Sequence, residues 1–344
     1  MEKSLLPMAR YNPSEECELL RHWISTETIL RNKDNVSRTN AYFEFFKNHP
    51  DIKWAFLASM VSRNAGWNMC DLEGPMLPHI IPKQLRKRLF LAYERANWLI
   101  FHDAFPQLLL YHYSTKINSP MFHLLAFFRV SAFMEQEWRT FWRERDQTRL
   151  LIAMIINEQN VIQQPVLLSP LYQNKVFHSL LFSFQDSFHF SSVLFPNKGG
   201  HLYGASVNGF RSVSKRIDLG KRLSSILFRD DLFPAFYEFA ETTPHTGSRS
   251  DYEQYFINHR KHQATPVLKR TYPPVRHHIH CNYPDWSKKT KIKEKWRSPS
   301  VKHLHPLLIT KWYLKKQKQL SYIVLMSKKC RNICRNLLSL PKLF

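Results

Sequence analysis

Glycine is scarce in this chain, 8 in 344 residues. Glycine supplies positive-φ turns and lets backbone approach a phosphate. Its scarcity therefore argues against glycine-turned β-sandwiches and barrels, and against nucleotide folds built on glycine loops. The specific motifs are missing too. The sequence has no G-x-x-x-x-G-K-[ST] loop, no G-x-G-x-x-G, no H-E-x-x-H and no C-x-x-C. The segment Gly204 to Gly209 is one residue too long for a G-x-S-x-G nucleophile elbow. No Glu-x-x-His pair of the di-iron type occurs. These absences lower the expectation of an enzyme, and no cofactor is expected.

Cysteine is also sparse. Cys17, Cys70, Cys281, Cys330 and Cys334 are odd in number and irregular in spacing, which excludes a disulfide scaffold and predicts a reducing, cytoplasmic setting. The N-terminal MEKSLLPMARYNPSEE lacks the apolar stretch of a signal peptide. No run of 18 apolar residues exists: the nearest, Met121 to Met134, is broken by His123, Arg129 and Ser131. No transmembrane segment is expected.

Acidic residues are nearly missing from the last quarter. Residues 260–344 hold 21 Lys or Arg against only Asp285 and Glu294, within a formal net charge of +23 for the chain. Residues 1–259 are close to neutral, with 29 basic and 25 acidic groups. Such asymmetry points to a polyanionic partner: nucleic acid, an anionic membrane surface or an acidic protein. A solvated basic tail is the plainer alternative.

What is present is apolar and aromatic. At 44% hydrophobic and 14% aromatic, the chain has the surface to bury a core. Leu85, Leu89, Ala92, Ala96 and Leu99 recur at steps of four and three, predicting an amphipathic helix. Trp54, Ala58, Val61 and Ala65 predict another, with Asp51 as its N-cap and Gly66 as its terminator. Ser37 or Thr39 would cap a helix before it. Met121 to Arg145 reads as one long helix, and Gln147 to Gln163, Tyr172 to Phe184, Val213 to Phe228 and Phe233 to Ala240 as others. No strand-turn-strand pattern stands out, so Gly199, Gly200 and Gly204 read as a loop between helices. Beyond about residue 262, prolines recur every few residues and predict an extended segment. A final amphipathic turn set, Cys330, Ile333, Cys334, Leu337 and Leu338, closes the chain.

Three polar segments are candidate sites. Arg63, Asn64, Asn68 and Asp71 stand close together around Trp67 and Met69. Arg38 and Arg249 supply further cations, the latter in His245-Thr246-Gly247-Ser248-Arg249-Ser250, whose composition suits an anion-binding turn. Converging in space, Arg38, Arg63, Asn64, Asn68, Asp71 and Arg249 would make an anion pocket, since guanidinium offers a planar fork of donors. The alternative is capping: the arginines and amides satisfy helix-end carbonyls, and Asp71 pairs with an arginine. The second segment, Lys288, Lys289, Lys291, Lys293, Lys295, Trp296 and Arg297, interleaves phosphate-neutralising lysines with indoles able to stack on bases. Here the alternative is that Trp286, Trp296 and Trp312 tack the tail to the globule. The third, His277, His278, His280 and Cys281, lacks a second ligand pair at zinc spacing, so no metal site is expected.

Several stretches resemble the YppC-like proteins of bacilli, a family of unknown function. They are Asn35 to Asn40, His49-Pro50 to Leu57, Val61 to Asn64, Gly66 to Met69 with Asp71-Leu72, Ser214 to Ile217, Leu219 to Leu223, and His245 to Tyr252. The resemblance spans about residues 30–260 and implies an intracellular bacterial protein; it brings no catalytic roles. The expectation is an all-α, irregular multi-helix globule over residues 1–259, followed by a basic, partly extended C-terminal segment over 260–344.

Overall fold

Helix α3 (Lys53–Asp71) organises the molecule. Apolar residues occupy every side of it, so it is buried all round, with Trp54, Phe56, Met60, Trp67 and Met69 in the core. The computed structural model describes residues 13–170, 192–206, 211–255, 265–278, 283–288 and 308–338. The chain also forms α1 (Pro13–Arg31), α2 (Asn35–Asn48), α4 (Lys83–Ile117), α5 (Ala132–Glu144), α6 (Gln147–Val161), α7 (Val213–Leu227), α8 (Phe233–Thr242) and the short α9 (Ser250–Glu253) and α10 (Leu268–Thr271). The chain is predominantly all-α. Among the described residues no helix is long and apolar enough to cross a membrane. The helix expected over Tyr172 to Phe184 lies outside the described residues.

Several helix ends differ from the sequence expectation. Neither Ser37 nor Thr39 caps α2: Asp34 does, taking the Ser37 N–H at 2.7 Å, while Thr39 turns inward to Ser62. Asp51 does not cap α3 either; Ile52 flanks it, and the Asp51 carboxylate accepts from the Tyr111 hydroxyl instead. Gly66 does not terminate α3, which continues to Asp71. A Cβ at Gly66 would lie 2.7 Å from His245 Nε2 and against Asn35 Oδ1. The glycine is there for close packing. Gly66→Ala is therefore expected to cost about 1–3 kcal/mol by overpacking, opposite in sign to the gain of about 1 kcal/mol it gives in an exposed helix. A urea titration of the two proteins checks the sign.

The long helix expected from Met121 to Arg145 is two elements. Phe122–Phe128 forms a tight 3-10 segment, Arg129 turns into the left-handed region at φ 58, and Ser131 restarts the chain by capping α5. On α4, Pro106 has no N–H to give to the carbonyl of His102, four residues back. His102 and Pro106 both border open space beside the 3-10 segment.

The glycines near residue 200 belong to a hairpin, not to a loop between helices. Strands β1 (Ser192–Pro196) and β2 (Leu202–Ser206) pair antiparallel, and Gly200 in the turn has φ 77. Leu194, Phe195 and Leu202 are all buried, so the strands lack the alternation that marks a half-exposed sheet. The C-terminal chain docks here. Ile309 N–H donates to Leu202 O at 2.7 Å, and Leu202 N–H donates to Thr310 Oγ1 at 2.8 Å. The closing turn set then proves to be the end of a 29-residue helix, α11 (Thr310–Leu338). Its first turn plants Tyr313 in the main core, and Leu320 and Val324 continue the buried stripe.

Candidate functional site

The six residues of the expected anion pocket divide into four sets. Asn68, Asp71 and Arg249 come together: Arg249 Nη2 reaches Asp71 Oδ2 at 2.6 Å and Asn68 Oδ1 at 2.9 Å. Burial disfavours the Arg249 charge, yet the Asp71 carboxylate outweighs it and raises the guanidinium pKa. Arg38 is paired elsewhere, with Glu94 at 2.5 Å and Asn32 at 3.2 Å. Arg63 donates to the carbonyls of Ala240 and Thr243, both at 2.8 Å, and so closes the C-terminal end of α8. Burial lowers its pKa to about 10, against the pull of Asp251, which still leaves it charged at neutral pH. Asn64 clamps β1 by donating to Ser192 O and accepting from Leu194 N–H, each at 3.0 Å. Polar groups on successive turns of α3 thus tie distant segments to one helix.

The turn before Arg249 spends its donors internally. Asp251 accepts from Thr246 N–H, Thr246 Oγ1 and the Trp67 indole, and Arg249 N–H donates to Thr265 Oγ1. His245, its pKa lowered by burial, sits on Asn35 Oδ1 at 2.8 Å.

Of the basic segment, only Lys288 is described; Lys289, Lys291, Lys293, Lys295, Trp296 and Arg297 lie outside the described residues. Trp286 is an anchor: its indole donates to Asn157 Oδ1 at 3.0 Å and meets Phe133 edge-on at 5.4 Å. Trp312 also packs on the core. Of the His/Cys cluster, His277 lies 3.7 Å from Glu94, while His280 and Cys281 are outside the described residues. Among the described residues no group of three or more His, Cys, Asp or Glu could hold a metal ion.

Sequence reasoning missed a cavity of about 540 Å³ between α4, the start of α5, the end of α6 and residues 283–288. Leu99, Phe128, Val130, Val161 and Trp286 give it apolar walls, and Asp103 and Asp285 face it. Gln107 Nε2 and Asn157 Nδ2 both donate to Asp103 Oδ2, at 2.7 and 2.5 Å. These amides are themselves held, Gln107 by the Trp138 indole at 2.8 Å and Asn157 by Ser131 Oγ and Trp286. Burial pushes the Asp103 carboxyl up to about 7; the two amides oppose this and Asp285 adds to it. Burial also disfavours the Asp285 charge. The N–H groups of Ala132 and Ser287, the Ser287 hydroxyl and Lys288 nevertheless hold its carboxyl below the usual range. The pocket's parts lie on segments about 30, 55 and 180 residues apart, with no motif to link them.

A 280 Å³ cavity adjoins it, sharing His102, Phe128 and Arg129. His102 stacks on Trp98 at 4.9 Å, and burial, then Arg95 and Arg129, lower its pKa.

No solved structure matches the chain. Bacillus subtilis (strain 168) has a similar protein, "Uncharacterized protein YppC", 48% identical over 299 residues, which are 86% of this chain and 92% of that protein. The model of the family "Protein of unknown function (DUF2515)" matches residues 31–313, past the limit of 260 drawn from sequence resemblance. That reach takes in the α11 anchor at Tyr313. The chain therefore belongs to the DUF2515 family of proteins of unknown function.

Proposed function

We propose that the protein is a cytoplasmic, non-enzymatic binder of polyanions, foremost nucleic acid, acting through its basic C-terminal segment. The observation that carries this reading is the charge of α11. Over 29 residues it holds eight Lys or Arg and no Asp or Glu. Lys311, Lys315, Lys318, Lys328 and Lys329 are exposed, while the face with Tyr313, Leu320 and Val324 is turned to the globule. The interior arginines, by contrast, are spent on Glu94, Asp71 and backbone carbonyls. In this reading residues 1–259 form the supporting body and 260–344 the binding segment. With Trp286 and Trp312 anchored in the body, recognition is mainly electrostatic and insensitive to sequence.

The test is fluorescence anisotropy with a labelled DNA duplex and a labelled single strand across a salt series. Affinity should fall about a hundredfold or more between about 50 and 200 mM salt. Truncation would strip Tyr313 from the core, so the variant should instead replace Lys311, Lys315, Lys318, Lys328 and Lys329 with Gln. Loss of binding and a shallower salt slope are expected; an unchanged affinity sinks the proposal.

A second reading, an anionic membrane surface, is favoured by Tyr322, Ile323, Leu325 and Met326, exposed apolar side chains on the same basic helix. Flotation with phosphatidylserine-containing vesicles, against phosphatidylcholine alone, separates it from the first.

A further inference from the structure

We infer that the cavity between α4, α5, α6 and residues 283–288 is a binding site for a small organic ammonium ion, with Asp103 as the group that receives it. The volume, about 540 Å³, suits a small organic molecule. Phe128, Tyr283 and Trp286 supply aromatic wall, which favours a cation over its neutral isostere. Asp103 is held rigidly from one side: both of its amide donors fall on Oδ2. They are neutral, so a cationic ligand would bring the countercharge that the hydrogen bonds to Asp103 among the described residues do not.

The other charged groups around the space narrow the ligand. On the C-terminal segment, Asp285 is stabilised by Ala132, Ser287 and Lys288, so its negative charge persists. On α5, Glu135 already pairs with Arg139 at 2.8 Å. On α4, His102 is kept neutral by burial and by Arg95 and Arg129. Arg129 belongs to the side shared with the smaller cavity. An anion entering beside Asp103 would meet two carboxylates. A divalent metal would want at least three convergent ligands, and no such group occurs among the described residues. An ammonium ion matches both the charge and the apolar wall.

The balance is simple. At neutral pH Asp103 retains its proton in part. The incoming ammonium keeps its own protons, Asp103 gives one to solvent, and the ion pair forms between R–NH₃⁺ and the carboxylate.

Benzylamine is the probe, titrated into the full chain while the Trp286 indole N–H is followed by NMR, with benzyl alcohol and benzoate as controls. Benzylamine should bind with an affinity on the order of millimolar or better at pH 7.5. Both controls should be at least about tenfold weaker, a difference of about 1.4 kcal/mol. Binding should weaken about tenfold per pH unit below about 7, as Asp103 protonation competes. Calorimetry in buffers of different ionisation enthalpy should show proton release. Asp103→Asn should abolish the preference for the amine while circular dichroism stays unchanged. No perturbation of Trp286 by benzylamine, equal binding of benzyl alcohol, or pH-independent binding by the wild-type chain would each overturn the assignment.

Discussion

Replacing Arg249 with alanine is expected to cost the fold about 3–5 kcal/mol, the penalty for leaving a buried charge without its partner. Arg249 is 2% exposed. Its Nε and Nη2 hold Asp71, Nη2 also reaches Asn68, and Nη1 donates to the Tyr252 hydroxyl. Tyr252 in turn donates to Tyr313 at 3.1 Å, and Tyr313 donates to Glu253 at 2.5 Å. One guanidinium therefore links α3, the Ser250–Glu253 turn and the first turn of α11. Its loss should lower the urea midpoint sharply and loosen the docking of α11. The double variant Arg249→Met with Asp71→Leu removes both charges together and should cost much less than Arg249→Ala alone. Equal losses would show that packing, not charge, carries the effect.

The second large effect is on pH dependence. Burial pushes both Asp103 and Glu158 up to about 7, in the second case against hydrogen bonds from Gln159 and Trp54. In the unfolded chain such groups titrate near about 4. Between these values the native state holds protons that the unfolded state has lost. The contribution of each carboxyl is fully present below about pH 4 and disappears as pH rises through about 7. Stability should fall over that window by at most about 1.4 kcal/mol per pH unit for each group; both side chains keep partial exposure, which reduces the slope. Urea titrations at several pH values should show the decline. Asp103→Asn and Glu158→Gln should each flatten it and should be more stable than wild type at pH 8. A wild-type stability that rises from pH 5 to 7.5, with no flattening in either variant, would contradict the assignment of these carboxyls.

Much of the architecture was legible in the linear chain because it depends on near neighbours. The steps of three and four from Leu85 to Leu99 are the core-facing stripe of α4, with Leu89, Ala92 and Leu99 buried and Leu85 and Ala96 packed against the core, and the run from Trp54 is α3. Helix identity survives without tertiary knowledge because its period is set by residues within two turns. The charge asymmetry and the family resemblance were equally open to reading, since each is a property of residue order.

End positions and partners were not. Gly66 looked like a terminator because glycine usually ends helices; here the space for a side chain was taken by Asn35 and His245. Ser37 and Thr39 were plausible caps, but Asp34 holds the position and Thr39 found a buried hydroxyl. The hairpin was hidden because strands buried on both sides do not alternate.

By itself, then, the sequence determined the helical class, the stripes that form the core, and the placing of surplus positive charge after residue 260. Only the tertiary structure decided which arginine meets which acceptor, and that Asp103, Asn157, Asp285 and Trp286 enclose one space. The physical reason is that burying a charge is costly unless a partner is present. Partners for buried charges are chosen by long-range packing; Arg249 and Asp71 are 178 residues apart. The polar cluster around Asp71, whose composition suits a foreign anion, is filled by the chain's own Arg249.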